Sequence, residues 1–223
     1  MTMPDISGLD GVTLTVFAAL LALSVLATTV TLFKIVQFLW LGVGRKRPAE
    51  RILQDWLAGQ HDRALAAAAA ARGVPGRVLH AALAAQAARP GDIDWAEELG
   101  RRAALSELGR MTRWMRGLEA VVQAAPMLGL LGTVVGMIGA FGTLAASTGG
   151  VDPAQLAGGI WTALTTTAVG LAIALVFYFV AIWLEGVIET ERQTMEALLS
   201  AAVHGQVGSA PLRADPRAAP LQG

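Results

Sequence analysis

The chain contains no cysteine and little charge, and these shortages exclude several kinds of protein. Without cysteine there are no disulfides, no thiol catalysis and no cysteine metal ligands. Its three histidines lie far apart and lack the spacing of metal ligands, so we predict no metal site. Seventeen basic and 17 acidic residues cancel, which argues against nucleic acid as a partner. With 15% charged and 54% hydrophobic residues, the composition is typical of a protein with several membrane spans.

Aspartate, glutamate, lysine, arginine and histidine are missing altogether from two long apolar stretches, residues 120–147 and 156–183. Each stretch exceeds the roughly 20 apolar residues that cross a bilayer. Both are rich in glycine, alanine and threonine, where a simple anchor would be rich in leucine. Small residues let helix backbones approach closely in lipid. We therefore predict two membrane helices that pack tightly and present a few hydroxyl groups.

A third apolar stretch, residues 12–43, is interrupted only by Lys34 and Gln37. It is too long for the core of a signal peptide, and no basic segment precedes it. We interpret it as the first membrane helix. We expect Lys34 to extend its amine toward the nearer interface; the alternative is a buried charge with a partner.

Basic residues predict the orientation of the spans. Residues 1–11 contain no lysine or arginine, whereas Arg45, Lys46 and Arg47 directly follow the first span. The loop at 149–154 contains Asp152 and no base. By the positive-inside rule, the N-terminus and this loop lie outside. The predicted fold class is an all-α integral membrane protein with three transmembrane helices, long cytoplasmic helical extensions and an N-out/C-in topology.

The apolar stretches and the basic residues together divide the chain into segments. We predict a periplasmic N-terminus (1–11), transmembrane helix 1 (12–44), a cytoplasmic helical domain (45–118), transmembrane helix 2 (119–148), a periplasmic loop (149–154), transmembrane helix 3 (155–184), a cytoplasmic helix (185–204) and a disordered tail (205–223).

Helix-forming composition predicts helices at 48–71 and 77–88, separated by a break at 73–76. A third helix is expected to be capped by Asp92 or Asp94. We expect it to continue unbroken to residue 147 and to kink at Pro126.

Small residues recur every three or four positions in both apolar stretches, which places them on one helical face. They are Gly129, Gly132, Thr133, Gly136, Ala140 and Thr143 in the second span, and Gly159, Thr162, Ala163, Thr166, Thr167, Gly170 and Ala174 in the third. The threonines could hold helices together or form a polar track for an ion, with Thr133 and Thr167 as candidates for a shared polar seam. A track needs a group that titrates, and neither span has one. If protons cross here, that group comes from another chain.

The run PMLGLLGTVVGMI, from Pro126 to Ile138, and the run TTAVGL at 166–171 resemble the MotA/TolQ/ExbB proton-channel family. The three-span layout is that of the ExbB/TolQ type. The resemblance implies a proton-channel subunit of the bacterial inner membrane, not an enzyme, that carries H⁺ and uses no cofactor. Thr133 and Thr167 match the family's channel hydroxyls. The candidate proton-pathway residues are Thr133, Thr162, Thr166 and Thr167, and the candidate packing or kink residues are Pro126, Gly129, Gly132, Gly136, Gly159 and Gly170.

The resemblance also implies partners. Such proteins form a pentamer around two copies of an ExbD/TolR-like protein with one membrane helix. The resemblance implies that an aspartate of that partner faces the threonines and that its protonation, driven by the proton-motive force, turns one component inside the other. The motion reaches a TonB- or TolA-like protein and energises a process such as TonB-dependent transport. The alternatives are a TolQ-like role in envelope constriction or integrity, and a non-conducting scaffold ring.

The sequence departs from the family's usual pattern at three places. Thr162 stands where glutamate is usual, Leu175-Val176 where Ile-Pro is usual, and Ala181-Ile182 where Tyr-Asn is usual. Roles of that glutamate therefore do not transfer, and the missing proline predicts a straighter third helix. A membrane enzyme is disfavoured because no Ser-His-Asp, metal-binding or phosphate-binding pattern is present.

Overall fold

The computed structural model of this chain describes residues 11–146 and 153–205, apart from the side chains of Val12 and Ala146. The predicted periplasmic N-terminus, the periplasmic loop and the disordered tail lie wholly or mostly outside these residues. The described residues form seven α-helices and no strand, which confirms the all-α fold class. The helices are α1 (Gly11–Leu41), α2 (Lys46–Leu57), α3 (His61–Ala70), α4 (Val74–Ala88), α5 (Ile93–Thr112), α6 (Met115–Ala146) and α7 (Pro153–His204).

Three helical stretches are long and apolar enough to cross a membrane, and they contain α1, α6 and α7. Large apolar side chains are exposed along them, including Trp40, Met127 and Trp161, which are 86%, 71% and 75% exposed. Exposed apolar surface on this scale requires lipid or another protein to cover it. The chain is therefore a multi-pass membrane protein, and its N-out/C-in orientation stays a prediction.

The chain divides into two compact units. The first contains the described residues up to Gln37 and those from Thr112 to Gly186, and we call it the membrane unit. Its three helices meet at a small core in which Val16 and Leu20 of α1 lie with Ala125 of α6 and Ala174 of α7.

The second unit, which we call the extramembrane unit, contains residues 38–111 and the described residues from Val187 onward. Its core joins α2, α3, α4 and the end of α7, with Ile52, Leu53, Leu79, Leu83 and Leu198 among the buried residues. Arg77 of α4 makes a bidentate ion pair with the buried Glu107 of α5, at 2.9 and 2.8 Å. The backbone N–H of Gly44 also donates to the buried carboxylate of Glu191.

The prediction of one helix over 48–71 was wrong. α2 ends at Leu57 and α3 begins at His61, and between them Gly59 adopts a φ of 79°. Glycine reaches this left-handed region without a steric penalty, which makes it the natural residue for the turn. The expected break at 73–76 is also shorter than predicted, because α4 begins at Val74 and carries Pro75 in its first turn.

The second predicted helix, at 77–88, is confirmed within α4, and Asp92 caps the next helix. Its carboxylate accepts a hydrogen bond from the backbone N–H of Trp95 at 3.1 Å.

The third span continues well past residue 185, since α7 extends to His204. Its 52 residues correspond to about 78 Å at 1.5 Å per residue.

The expectation of an unbroken helix from Asp94 through the second span was wrong. α5 ends at Thr112 and α6 begins at Met115, with Trp114 at a φ of 72° between them. The carbonyl of Trp114 accepts the backbone N–H groups of Gly117 and Leu118, so this residue opens α6. Neither Arg113 nor Trp114 is a helix breaker, so the local sequence carries no signal for the break. α6 is continuous through Pro126, and a kink there stays a prediction.

Lys34 does not extend to an interface as we expected. Its side chain is completely buried, and its Nζ donates to Oε1 of Gln37 at 3.2 Å. This geometry favours the alternative of a buried charge that is held by polar partners.

An exposed charge network lies on α7 in the extramembrane unit. Arg192 bonds Glu189 through two nitrogens at 2.8 Å and Glu196 at 2.6 Å. The hydrogen bonds from Arg192, and that from Gln193, lower the pKa of Glu189 to about 2. Because the folded pKa is depressed, any stabilisation is present above the unfolded value near 4.5 and is lost as the pH falls toward 2.

We predict that Glu107→Gln destabilises the extramembrane unit, because it breaks a bidentate ion pair that is largely shielded from water. Removing a charged hydrogen-bond partner at such a site costs about 1.5–3 kcal/mol. The control is Glu98→Gln, whose exposed pair with Arg102 at 2.7 Å contributes about 0.5 kcal/mol or less. Thermal unfolding of the two purified variants measures both; equal melting temperatures would contradict the assignment.

Candidate functional site

Helices α6 and α7 approach so closely that glycine is required at their crossing. A β-carbon added at Gly129 would lie 2.9 Å from the carbonyl oxygen of Thr166 and 3.0 Å from the Cα of Thr167. At Gly170 it would lie 2.5 Å from the carbonyl oxygen of Ala125. The obstacles are backbone atoms, which cannot swing aside as a side chain could.

The same close packing continues along the pair. An added β-carbon at Gly132 would lie 2.5 Å from the Thr166 hydroxyl, and one at Gly136 would lie 2.8 Å from the Cβ of Ala163. A β-carbon added at Gly159 of α7 would likewise lie 2.8 Å from the Cβ of Ala140 of α6. The structure thus brings five of the six candidate packing residues into one contact; Pro126 lies in α6, half-buried.

Two hydroxyl groups of α7 converge on one backbone carbonyl of α6. The Thr167 hydroxyl donates to the carbonyl oxygen of Gly129 at 2.8 Å. The Thr166 hydroxyl lies 3.1 Å from the same oxygen and 2.7 Å from the carbonyl of Ala163. A hydroxyl has one proton, so Thr166 donates to one of these acceptors at a time. The hydrogen bonds to the Gly129 carbonyl join α7 to α6, and Thr166 is fully buried between the helices.

Two of the predicted pathway residues instead bond within their own helix. Thr133 donates to the carbonyl of Leu130 at 2.7 Å, and Thr162 donates to that of Gly158 at 3.0 Å. Among the residues that the structure describes, the hydroxyls of Thr133 and Thr167 share no hydrogen bond. The polar seam that we predicted between these two threonines is therefore not a direct bond.

A cavity of about 360 Å³ lies in the membrane unit between α1, α6 and α7. Its polar side chains come from Thr13, Thr143, Gln155 and Thr162, and its remaining walls are glycine and alanine. A volume of this size holds several water molecules, and the side-chain oxygens give them partners. Thr162 gives this cavity a hydroxyl and no carboxylate.

Our sequence reasoning missed Thr13 and Gln155 as lining residues of this cavity. Gln155 was visible as an amide directly before the apolar stretch 156–183. Thr13 lies in the first span, and only the packing of α1 against α6 and α7 brings it here. The cavity and the threonines carry no acid, lysine, arginine or histidine, and the described residues contain no cluster that could hold a metal ion.

Comparisons with known proteins agree on one family. The sequence profile of the MotA/TolQ/ExbB proton channel family matches residues 70–197, which is more than half of the chain. A biopolymer transport protein ExbB homolog of Methanothermobacter thermautotrophicus is 36% identical over 102 residues, 46% of this chain and 36% of that protein. The biopolymer transport protein exbB1 of Vibrio cholerae is 48% identical over 60 residues, 27% of this chain and 26% of that protein. The chain thus spans about a quarter to a third of the length of these relatives.

We predict that Gly129→Ala destabilises the protein while Gly142→Ala does not. The methyl group at position 129 would meet α7 backbone, and overpacking of this kind costs about 1–3 kcal/mol. Gly142 is also in α6 but has nothing within 4 Å of an added β-carbon, so the better helix propensity of alanine leaves stability unchanged or raises it. Thermal unfolding in detergent measures both, and a neutral Gly129→Ala would contradict the close approach.

Proposed function

The chain belongs to the MotA/TolQ/ExbB proton channel family, and from that premise we propose that it is the channel subunit of a proton-driven motor in the bacterial inner membrane. We further propose that it forms a pentamer around an ExbD/TolR-like partner, whose single membrane helix supplies the titrating aspartate. The observation that carries this proposal is a tightly packed pair of helices whose apolar stretches, 120–147 and 156–183, contain several threonine hydroxyls and no acid, lysine, arginine or histidine.

The hydrogen bonds of the threonines suit this role. Thr133 and Thr162 give their protons to carbonyls of their own helices, which leaves the lone pairs of their oxygens able to accept. A protonated aspartate can donate to such an oxygen. After the proton leaves, a hydroxyl that rotates can donate to the carboxylate in turn. One hydroxyl can therefore stabilise both states of a partner's aspartate.

The energies are of a compatible size. An ionised aspartate at the centre of a bilayer costs about 2.5–3.5 kcal/mol on insertion scales. A membrane potential of about 100 mV supplies roughly 2.3 kcal/mol per charge. Hydroxyls on one side of the aspartate lower the cost only where they face it, so the potential can bias the position of the partner helix. H⁺ fits this site better than Na⁺, because a cavity without carboxylates offers Na⁺ few strong oxygen ligands.

The process that the motor energises is open to two proposals. We favour energy transfer through a TonB-like protein, as in TonB-dependent transport, and a TolQ-like role in envelope constriction or integrity through a TolA-like protein is the alternative. A non-conducting scaffold ring is a separate candidate. Thr162 favours the scaffold, because the glutamate that is usual at this position in the family is missing here.

We predict that Thr133→Val with Thr162→Val lowers proton flux about tenfold or more. Each change removes a hydroxyl at nearly constant volume, and the loss of a hydrogen bond to a charged group is worth about 1.5–3 kcal/mol. The complex is purified from its own membranes with its natural partner, reconstituted into liposomes and followed with a pH-sensitive dye under an imposed potential.

Two control variants separate transport from assembly. Thr165→Val removes a hydroxyl that bonds Trp161 of its own helix and is not among the predicted pathway residues, so flux should be unchanged. Thr162→Ser keeps the hydroxyl and should retain flux. Normal flux in the double variant would show that these hydroxyls are not on the pathway. No flux from the unaltered complex would favour the scaffold.

We also predict that native mass spectrometry of the gently extracted complex finds five copies of this chain with two copies of a single-span protein. The sequence of that protein should contain an aspartate within its apolar span. A ring without such a partner would lack the titrating group, and the motor proposal would then fail.

A further inference from the structure

A groove in the extramembrane unit is rich in arginine. It lies between α2 and α3, has a volume of about 610 Å³, and is lined by Arg47, Arg51, Arg63 and Arg72 with a single acid, Asp55. Arginine is the side chain that best matches a phosphate group, because its planar guanidinium donates two parallel hydrogen bonds.

Most of this positive charge is not neutralised by the protein. Arg63 lies 3.6 Å from Asp55 and pairs with it. Across the part of the chain that the structure describes, the side chains of Arg47, Arg51 and Arg72 form no ion pair and no hydrogen bond. The groove therefore keeps about three positive charges that face one another across a small volume.

The groove lies beside the end of the first membrane span. α1 ends at Leu41, and Gly42 then turns the chain with a φ of 66°. A β-carbon added at Gly42 would lie 3.5 Å from the Cα of Gly73 and 4.0 Å from the carbonyl oxygen of Arg72. The backbone of Arg72 therefore lies beside the turn that ends α1.

The last turn of α1 has the character of a membrane interface. Leu39 and Trp40 are 71% and 86% exposed, and tryptophan is enriched where a helix passes from lipid to water. Both residues belong to the same compact unit as the groove. The walls of the groove are partly apolar, with Ala67 and Ala70 of α3 facing Ile52 of α2. Such walls suit the glycerol and first methylenes of a lipid and do nothing for a free ion.

We propose that this groove binds the phosphate of an anionic phospholipid headgroup from the leaflet that surrounds the end of α1. Arg51, Arg63 and Arg72 contact the phosphate, and Arg47 adds charge at the entrance. The bound lipid neutralises the cluster and joins α2 and α3 to the membrane. The proposal does not depend on proton transport.

The test uses full-length protein in detergent, with native mass spectrometry to count retained lipid during titration with phosphatidylglycerol or phosphatidylcholine. The variant is R51Q/R63Q/R72Q, which leaves the positive residues 45–47 that direct topology unchanged. The matched control is R89Q/R101Q/R102Q, which removes the same charge from arginines that already pair with acids in the extramembrane unit. Melting temperature and oligomeric mass establish that each variant is folded.

We expect the unaltered protein and the control to bind phosphatidylglycerol at least tenfold more tightly than the groove variant does. Phosphatidylcholine should bind all three proteins weakly. Equal retention of phosphatidylglycerol by the groove variant and the control would overturn the proposal. A further titration uses inorganic phosphate alone. If millimolar phosphate displaces the lipid completely and binds with equal affinity, the groove is a site for free anions and the assignment to a lipid fails.

Discussion

The close approach of α6 and α7 is the constraint on which the rest of the membrane unit depends. Helices gain little hydrophobic free energy by pairing in lipid, so the pair is held by packing and hydrogen bonds. Gly129, Gly132 and Gly136 supply the packing, because none of them has room for a β-carbon beside α7. The same approach brings the Thr167 hydroxyl within 2.8 Å of the Gly129 carbonyl. A larger residue at position 129 would break the packing and the hydrogen bond together.

This geometry divides the threonines into two groups by the hydrogen bonds that they form. The hydroxyls of Thr166 and Thr167 donate hydrogen bonds to backbone carbonyls at the helix crossing, and Thr166 is fully buried between the two helices. Thr162 lines a cavity with Thr13, and its oxygen can still accept a hydrogen bond. The chain thus offers polar surface without a titrating group, which is the complement of a partner that carries one. Large apolar side chains exposed along the spans leave ample surface for lipid and for neighbouring subunits.

The arginines of the extramembrane unit fall into two groups that the positive-inside rule does not distinguish. Arg77, Arg101 and Arg102 pair with glutamates of α5, and Arg77 is part of the packing between α4 and α5. Those of the groove face one another with only Asp55 among them. Both groups count equally in the orientation that we predict, yet only the second is arranged to hold a phosphate from outside the protein.

The sequence by itself determined the helical class, the three spans and the small-residue face, because these follow from composition and from a period of 3.6 residues. The run from Pro126 to Ile138 also indicated the family. The sequence did not predict the helix break at Trp114 or the burial of Lys34. Tryptophan does not favour a positive φ, and lysine does not favour a buried position. Tertiary structure also decided that Thr13 and Gln155 join one cavity and that Arg47 and Arg72 share one groove. These sites unite residues from different helices, and local periodicity places residues on one face of a helix without saying which helix that face meets.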